Sequence, residues 1–295
     1  MKDWHLKNIC LGKDPPHGSD FYSTPIYFQS DFLNEYSEFN DSTEDDYKFV
    51  YIGTNNTNTP LHKDVLNSFS WSVNIFGLKK WIFLKEGSER NLLEKYKLKE
   101  EGDFYPRDVT KFFEVDEKLK NSVTTFYQKE NNAIFVPSAT FHQVENVAVR
   151  NENSGTASIN HNWINSCNLL KVWDHLQEEL ILVEKSIEEF RDSMEDFESH
   201  CQMMLKSCTG MNFESFRNML LFVLDRRKGD QFKCDFEDSS EVLALLDDFS
   251  TNCTNDRDEL DIEIKNFSPS SKLHATFDVL KISEVLRLVE KSKMF

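Results

Sequence analysis

The sequence has few basic residues for its acidic content. Lys and Arg number 34 against 51 Asp and Glu, which gives a net charge of −17 at pH 7. Proteins that bind nucleic acid through its phosphates need clustered Lys and Arg. The charge balance therefore argues against direct binding to nucleic acid and favours a basic protein or a small molecule as the partner.

Paired cysteines and long apolar runs are also absent from the sequence. None of the six cysteines forms a C-x-x-C pair, which excludes zinc sites built from cysteine doublets and favours free thiols in a reducing compartment. The segment 1–6 is charged where a signal peptide would be apolar, and the longest apolar block, 219–224, is too short to span a membrane. We therefore expect a cytoplasmic protein that does not associate with membranes.

The first half of the chain has the pattern of a β-domain. The sequence contains 25 Phe, which indicates an aromatic-rich core. Short strand-like segments alternate with turn residues, as is typical of a barrel or a jelly roll. The predicted strands are 47–52, 61–66, 69–76, 79–84, 123–128, 133–136, 142–148 and 156–162. A short helix is expected within 31–46, and the charged stretch 85–122 is expected to be a surface insertion.

The pattern changes from strands to helices at Ser166. Apolar residues then recur at intervals of three or four, which predicts a helical bundle and an α+β fold class. Ser193 and Asp196 resemble a capping box at the start of the second helix. The predicted helices are 169–190, 193–205, 212–228 and 277–289, and the polar stretch 230–275 is expected to be partly disordered. We divide the chain into a β-domain at 1–165 that lacks its N-terminal strands, a bundle at 166–229 and a final segment at 230–295.

Two residues in the predicted strand 61–66 suggest a metal site. His62 and Asp64 are two residues apart, so both project from the same face if the segment is extended. An imidazole and a carboxylate are two of the three ligands of a 2-His-1-carboxylate triad, which binds non-haem Fe(II) and leaves positions open for substrate and dioxygen. The third ligand must come from a distant strand. His142, about 80 residues further along, lies in a suitable segment.

A lysine after the metal motif suggests a site for an anion. Lys79 lies on the strand that returns beside the first one, and a lysine that faces inward is costly unless an anion pairs with it. A dicarboxylate that chelates the iron through a keto-acid end would present its far carboxylate to Lys79. Thr59 could donate a hydroxyl to the same carboxylate, and Asn74 could orient a metal ligand. Strand alternation then places Lys80 on the outside.

These segments together resemble a JmjC domain. The resemblance is carried by His62-Lys63-Asp64, Trp71-Ser72-Val73-Asn74, Phe135-Val136-Pro137-Ser138 and Asn160-His161-Asn162-Trp163, and it continues into the helices at 190–194. It implies a double-stranded β-helix that binds Fe(II) at His62, Asp64 and His142, with 2-oxoglutarate held by Thr59 and Lys79. Asn160 matches a further co-substrate residue more loosely, while His161 alternates away and is interpreted as structural.

The resemblance also implies a reaction and a partner. It implies a protein lysyl hydroxylase that acts on the eukaryotic translation termination (release) factor, with a possible homodimer through the C-terminal helices. Two departures from the family are a missing strand tyrosine near 2-oxoglutarate and a longer loop at 150–155. The alternatives are a non-catalytic cupin-like binding module and a JmjC lysine demethylase. Asp64 disfavours the latter, since many such demethylases carry glutamate there.

Overall fold

The computed structural model describes residues 22–28, 30–40, 47–88, 108–114, 116–148, 155–228 and 272–292. These residues fall into two compact units. One lies within Asp45–Asn162, and the other lies within Tyr22–Glu44 and Trp163–Phe295. The first unit contains the strands and the second contains the long helices, so each is described by itself.

The described residues of the first unit contain eight strands. They are β1 (Lys48–Gly53), β2 (Asn58–His62), β3 (Phe69–Phe76), β4 (Leu78–Leu84), β5 (Val123–Gln128), β6 (Ala133–Val136), β7 (His142–Val147) and β8 (Thr156–Trp163). They make two four-stranded sheets, with the strand orders β1-β8-β3-β6 and β2-β7-β4-β5. The chain passes from one sheet to the other at almost every connection. This is the double-stranded β-helix that the sequence predicts, and it brings residues far apart in the chain to one interior.

Two connections between the strands determine where the site lies. Gly77 joins β3 to β4 with a φ of 82°, and a Cβ at this position would lie 2.4 Å from the carbonyl oxygen of Gly155, so only glycine fits. The predicted strand 61–66 is wrong beyond His62. The chain turns there through a short 3-10 helix, Val65–Asn67, in which Leu66 and Asn67 have φ values of 58° and 46°. Left-handed backbone cannot continue a strand, so the predicted strand cannot reach residue 66.

The insertion after β4 is described only in part. Residues 89–107, which include most of the predicted surface insertion, lie outside the described residues. The chain then forms a 3-10 helix at Val109–Phe112, which begins beside the second sheet. The Gln143 amide binds this helix from β7: its Oε1 accepts from Val109 N at 3.0 Å, and its Nε2 donates to Asp108 Oδ1 at 2.7 Å.

Six α-helices are present in the described residues. They are α1 (Phe32–Asn40), α2 (Glu117–Asn121), α3 (Leu169–Ser186), α4 (Phe197–Thr209), α5 (Phe213–Lys228) and α6 (Lys272–Lys291). All except α2 belong to the second unit. The buried face of α3 consists of the apolar residues that recur at helical spacing: Leu169, Val172, Trp173, Leu176, Leu180 and Val183. The predicted α+β fold class, with a β-barrel and a bundle of C-terminal helices, is confirmed.

Two details of the predicted helices are wrong. Asp196 is the N-cap of α4, but it has a φ of 60° and its side chain makes no capping hydrogen bond, while the Ser193 hydroxyl donates to the Phe190 carbonyl instead. The predicted capping box is therefore absent. The last helix begins at Lys272 rather than at residue 277, and its Asp278 pairs with Arg227 of α5 at 2.7 Å. No helix in the described part of the chain combines the length and apolar character needed to cross a membrane.

Candidate metal centre

His62 and His142 lie opposite each other on neighbouring strands. They are paired in the β2–β7 ladder, and their ring centroids are 4.3 Å apart. Asp64 lies two residues beyond the end of β2 in extended backbone, with φ −66° and ψ 150°. One ligand atom from each of the three residues lies within 4.8 Å of the others. The structure therefore brings together the two histidines and the carboxylate that the sequence predicts, although Asp64 is not on the strand itself.

Hydrogen bonds set which nitrogen each histidine offers. His62 Nδ1 lies 2.8 Å from the Pro60 carbonyl oxygen, and His142 Nδ1 lies 3.0 Å from that of Thr140. A carbonyl oxygen only accepts, so each Nδ1 carries the hydrogen and each Nε2 keeps its lone pair for a metal. The Ser70 hydroxyl donates to Asp64 Oδ2 at 2.6 Å and orients the carboxylate. This donor set fits a divalent transition metal such as Fe(II).

Aromatic rings cover one side of the histidine pair. Trp81 and Phe83, both on β4, stack on the His142 ring with centroid distances of 5.6 and 5.7 Å. Trp81 is buried, and its indole nitrogen donates to Gln128 Oε1 at 2.8 Å, which fixes the orientation of the ring. The His142 imidazole is therefore held by apolar contacts on its faces and by a hydrogen bond at its edge.

The three side chains open into a cavity of about 150 Å³ between the two sheets. Residues of both sheets line it. The first sheet contributes Phe49, Tyr51, Ile52, Gly53, Ser70, Asn160 and Asn162. The second sheet and its neighbouring loops contribute Thr57, Asn58, Thr59, Pro60, His62, Asp64, Lys79, Trp81, His142, Val144 and Asn146. A small chelating ligand bound at the metal position would lie within this cavity.

Lys79 supplies a buried cation in the wall of the cavity. Its side chain is only 5% exposed, and its Nζ donates to Ser158 Oγ at 2.5 Å. The ammonium also lies 5.7 Å from the centre of the Tyr51 ring. Burial lowers the pKa of Lys79 to about 8. Lys80 points outward and pairs with Glu145 at 3.4 Å, as strand alternation predicts.

The other residues predicted to bind the co-substrate divide into two groups. Thr59 and Asn160 line the cavity. Asn74 does not: it is fully buried, and its Nδ2 donates to the carbonyl oxygens of Gly77 at 2.7 Å and Gln128 at 3.3 Å. Its amide therefore holds the turn between β3 and β4 rather than a ligand. His161 is also fully buried and packs against the Tyr47 and Trp71 rings, which agrees with a structural role.

Sequence reasoning missed three residues of the site. Tyr51 lines the cavity beside Lys79, Ser70 binds Asp64, and Ser158 binds Lys79. The predicted strand 47–52 contained Tyr51, but large apolar residues occur on both of its faces, with Phe49 and Tyr51 on one and Val50 and Ile52 on the other, so the pattern did not show which face points inward. The two serines carried no signal of their own, since their contacts depend on how the strands pair.

Comparison with known proteins identifies the family. Residues 49–163 match the JmjC domain, which is described as a hydroxylase domain. The chain is 36% identical to the mouse 2-oxoglutarate and iron-dependent oxygenase JMJD4, over 98% of this chain and 60% of that protein. It is 40% identical to the human protein of that name, over 77% and 51% of the two chains. It is also 37% identical to the Arabidopsis thaliana arginine-specific demethylase JMJ20, over 73% and 46%.

The chain spans about half to three fifths of the length of these curated relatives. The matched domain contains His62, Asp64, Lys79 and His142, which are the residues that the geometry brings together around the cavity. The fold, the donor set and the matches to its relatives agree: the chain belongs to the JmjC domain family.

Proposed function

We propose that the protein is an Fe(II)- and 2-oxoglutarate-dependent oxygenase that hydroxylates a protein side chain. The observation that supports this most directly is the convergence of His62, Asp64 and His142 in the lining of a cavity whose wall also contains the buried Lys79. A three-ligand centre beside a cation suits a metal-bound keto acid with a second carboxylate. The names of the JMJD4 relatives, which specify 2-oxoglutarate and iron, support the same assignment.

The residues of the chain have separate tasks in this proposal. His62, Asp64 and His142 hold the ferrous ion, while Lys79 and Thr59 bind the far carboxylate of 2-oxoglutarate. Once bound, the ferrous ion and 2-oxoglutarate would supply the dioxygen-dependent oxidation of a C–H bond. The protein positions the reacting groups, and the apolar rings of Trp81 and Phe83 limit the access of water to His142.

We further propose a lysine of the translation termination (release) factor as the substrate. The support is the resemblance in sequence, which extends past the barrel, and the net charge of −17, which favours a basic target. On the same ground we propose that the protein acts in the cytoplasm. A homodimer through the second unit is proposed as well, since Ile181, Leu182 and Met203 on α3 and α4 are 62%, 55% and 62% exposed.

The test is a turnover assay. The full chain is incubated with Fe(II), 2-oxoglutarate and a release-factor domain, and succinate and the mass of the substrate are measured. We expect succinate together with one added oxygen atom on a lysine of the substrate. His62→Ala should abolish both products. Lys80→Ala, which changes the outward-pointing lysine next to Lys79, should retain them. Succinate and hydroxylation that persist in His62→Ala would contradict the proposal.

Demethylation is a second candidate, because one relative is named an arginine-specific demethylase. Hydroxylation of an N-methyl group gives a product that releases formaldehyde, so the same centre serves either reaction. Methylated arginine and lysine peptides should therefore be assayed in parallel for formaldehyde. The non-catalytic alternative predicts neither product, and it also predicts no metal in the purified protein and no thermal shift with 2-oxoglutarate.

A further inference from the structure

A buried serine, Ser158, connects Lys79 to Asn160, and a second buried serine, Ser72, also binds Asn160. The Lys79 ammonium donates to Ser158 Oγ at 2.5 Å, and Ser158 Oγ donates to Asn160 Oδ1 at 2.9 Å. Ser72 Oγ donates to the same Oδ1 at 3.1 Å. Both serines are fully buried and neither lines the cavity, whereas Lys79 and Asn160 do. The serines therefore contact a bound ligand only through these two neighbours.

The hydrogen bonds run in one direction, from Lys79 through Ser158 to Asn160. An ammonium only donates, so Ser158 accepts from Lys79, and the single hydrogen of its hydroxyl goes to Asn160 Oδ1. The atom of Asn160 that faces both serines is the carbonyl oxygen. Within the part of the chain that the structure describes, Asn160 Nδ2 has no hydrogen-bond partner. Its two N–H groups remain for a ligand in the cavity.

We propose that Ser158 is a positioning residue for the co-substrate: it holds the Lys79 ammonium and orients the Asn160 amide so that both donate to a dicarboxylate in the cavity. This inference rests on the proposed function. Ser72 contributes only to Asn160, so the two serines differ in what their removal disturbs. Ser158→Ala removes the hydrogen-bond acceptor of the Lys79 ammonium and one of the two hydroxyl donors to Asn160 Oδ1. Ser72→Ala removes only the other donor to Asn160 and leaves the bond between Lys79 and Ser158 in place.

The experiment compares two ligands on the Mn(II)-loaded full chain by calorimetry. N-oxalylglycine is an unreactive analogue of 2-oxoglutarate with both carboxylates, while oxalate has only the chelating end. Ser158→Ala should bind N-oxalylglycine about 10-fold more weakly, since a hydrogen bond to a charged group is lost, and oxalate no more than about 3-fold more weakly. Ser72→Ala should show a smaller loss for N-oxalylglycine than Ser158→Ala. In turnover, Ser158→Ala should raise the KM for 2-oxoglutarate by a similar factor with little change in kcat.

Ser68→Ala is the matched control. Ser68 is 1% exposed, and its hydroxyl has no hydrogen-bond partner among the described residues, so its removal should leave both affinities unchanged. If Ser158→Ala does not fold, Ser158→Cys keeps the shape with a weak donor and should show an intermediate loss for N-oxalylglycine. Equal affinity for N-oxalylglycine in wild type and the Ser158 variant, or equal losses for both ligands, would overturn the positioning role alone. A wild-type protein that binds neither Mn(II) nor N-oxalylglycine would instead overturn the proposed function, and this inference with it.

Discussion

At the scale of single residues, burial changes the pH at which Lys79 loses its charge. Desolvation lowers the pKa of Lys79 from 10.5 to about 8, because the charged form loses its contact with water. Between these two pH values, Lys79 binds more protons in the unfolded chain than in the folded one. Its contribution to the free energy of unfolding therefore increases as the pH rises through this range. A carboxylate bound beside the ammonium would oppose the shift. Ligand binding and protonation of Lys79 are therefore coupled.

This coupling predicts how 2-oxoglutarate binding depends on pH. Below about pH 8 the ammonium is charged in the free protein and the affinity should be nearly constant. Above it, binding requires uptake of a proton, so the affinity should fall by up to about 10-fold per pH unit. Calorimetry with Mn(II) between about pH 6.5 and 9.5 measures the slope.

Lys79→Met keeps the length of the side chain and removes the charge, so this variant should bind weakly at every pH and lose the slope. Lys80→Met, which lies one residue away and points outward, should behave like wild type. A wild-type affinity that stays constant across pH 8 would contradict the role assigned to Lys79.

At the residue scale, the sequence predicted the donors but not their surroundings. The spacing of His62 and Asp64 and the resemblance to a JmjC domain indicated the three candidate ligands, since the types of side chain that bind Fe(II) are few. The contact between Lys79 and Ser158 could not be predicted in the same way. It depends on the packing of β4 in one sheet against β8 in the other, and strand patterns do not determine that packing.

At the scale of elements, two strained turns carry the candidate ligands. Leu66, two residues after Asp64, has a φ of 58°, and Ala139, three residues before His142, has a φ of 61°. Residues other than glycine rarely adopt this backbone conformation, and its cost must be offset by contacts elsewhere. The Ser138 hydroxyl supplies one such contact, because it donates to the Asn67 carbonyl oxygen in the other turn. This hydrogen bond links the turn after Asp64 to the turn before His142.

Removal of the Ser138 hydroxyl should therefore weaken metal binding as well as the fold. Ser138→Ala leaves the buried Asn67 carbonyl without this donor, which should lower the free energy of unfolding by about 1–3 kcal/mol. Because the ligands would then be held less firmly, the Mn(II) affinity should fall by about 10-fold. Urea denaturation and calorimetric titration measure the two effects. Ser68→Ala is again the control, and an unchanged Mn(II) affinity in folded Ser138→Ala would show that the link does not position the ligands.

The same turns explain where prediction of the elements from sequence failed. The strands β3, β5 and β6 have the predicted bounds, because their apolar and β-branched residues lie between clear turn signals. β2 begins and ends three or four residues before the predicted strand. Leu66 has no local preference for left-handed backbone, so its conformation comes from tertiary contacts such as the bond between Ser138 and Asn67.

At the scale of the whole molecule, a bound metal would join segments that are far apart in the chain. His62 and His142 are about 80 residues apart, and an ion held by both closes that loop in the folded state alone. A ligand that binds only the folded state stabilises it by about 2.7 kcal/mol at 100 times its Kd. Mn(II) at that excess should therefore raise Tm by about 5 to 10 °C, and EDTA should reverse the change.

Differential scanning fluorimetry of the full chain measures this shift. His62→Ala should show no stabilisation by Mn(II), because a carboxylate and one imidazole hold the ion poorly. His161→Gln serves as the comparison, since His161 is buried away from the cavity: its Tm will be lower without metal, but the increase with Mn(II) should be retained. Equal increases in wild type and His62→Ala would place the ion elsewhere in the molecule.

The strand order has a consequence for how long an ion stays bound. Among the described strands, β2 has β7 as its single neighbour, whereas β7 lies between β2 and β4. His62 ends β2 and Asp64 follows it, so fraying of this edge would carry two donors away together and leave His142 behind. The rate of local unfolding of β2 thus limits the residence time of the ion. The amide hydrogens of β2 should exchange with deuterated solvent more slowly once the ion is bound.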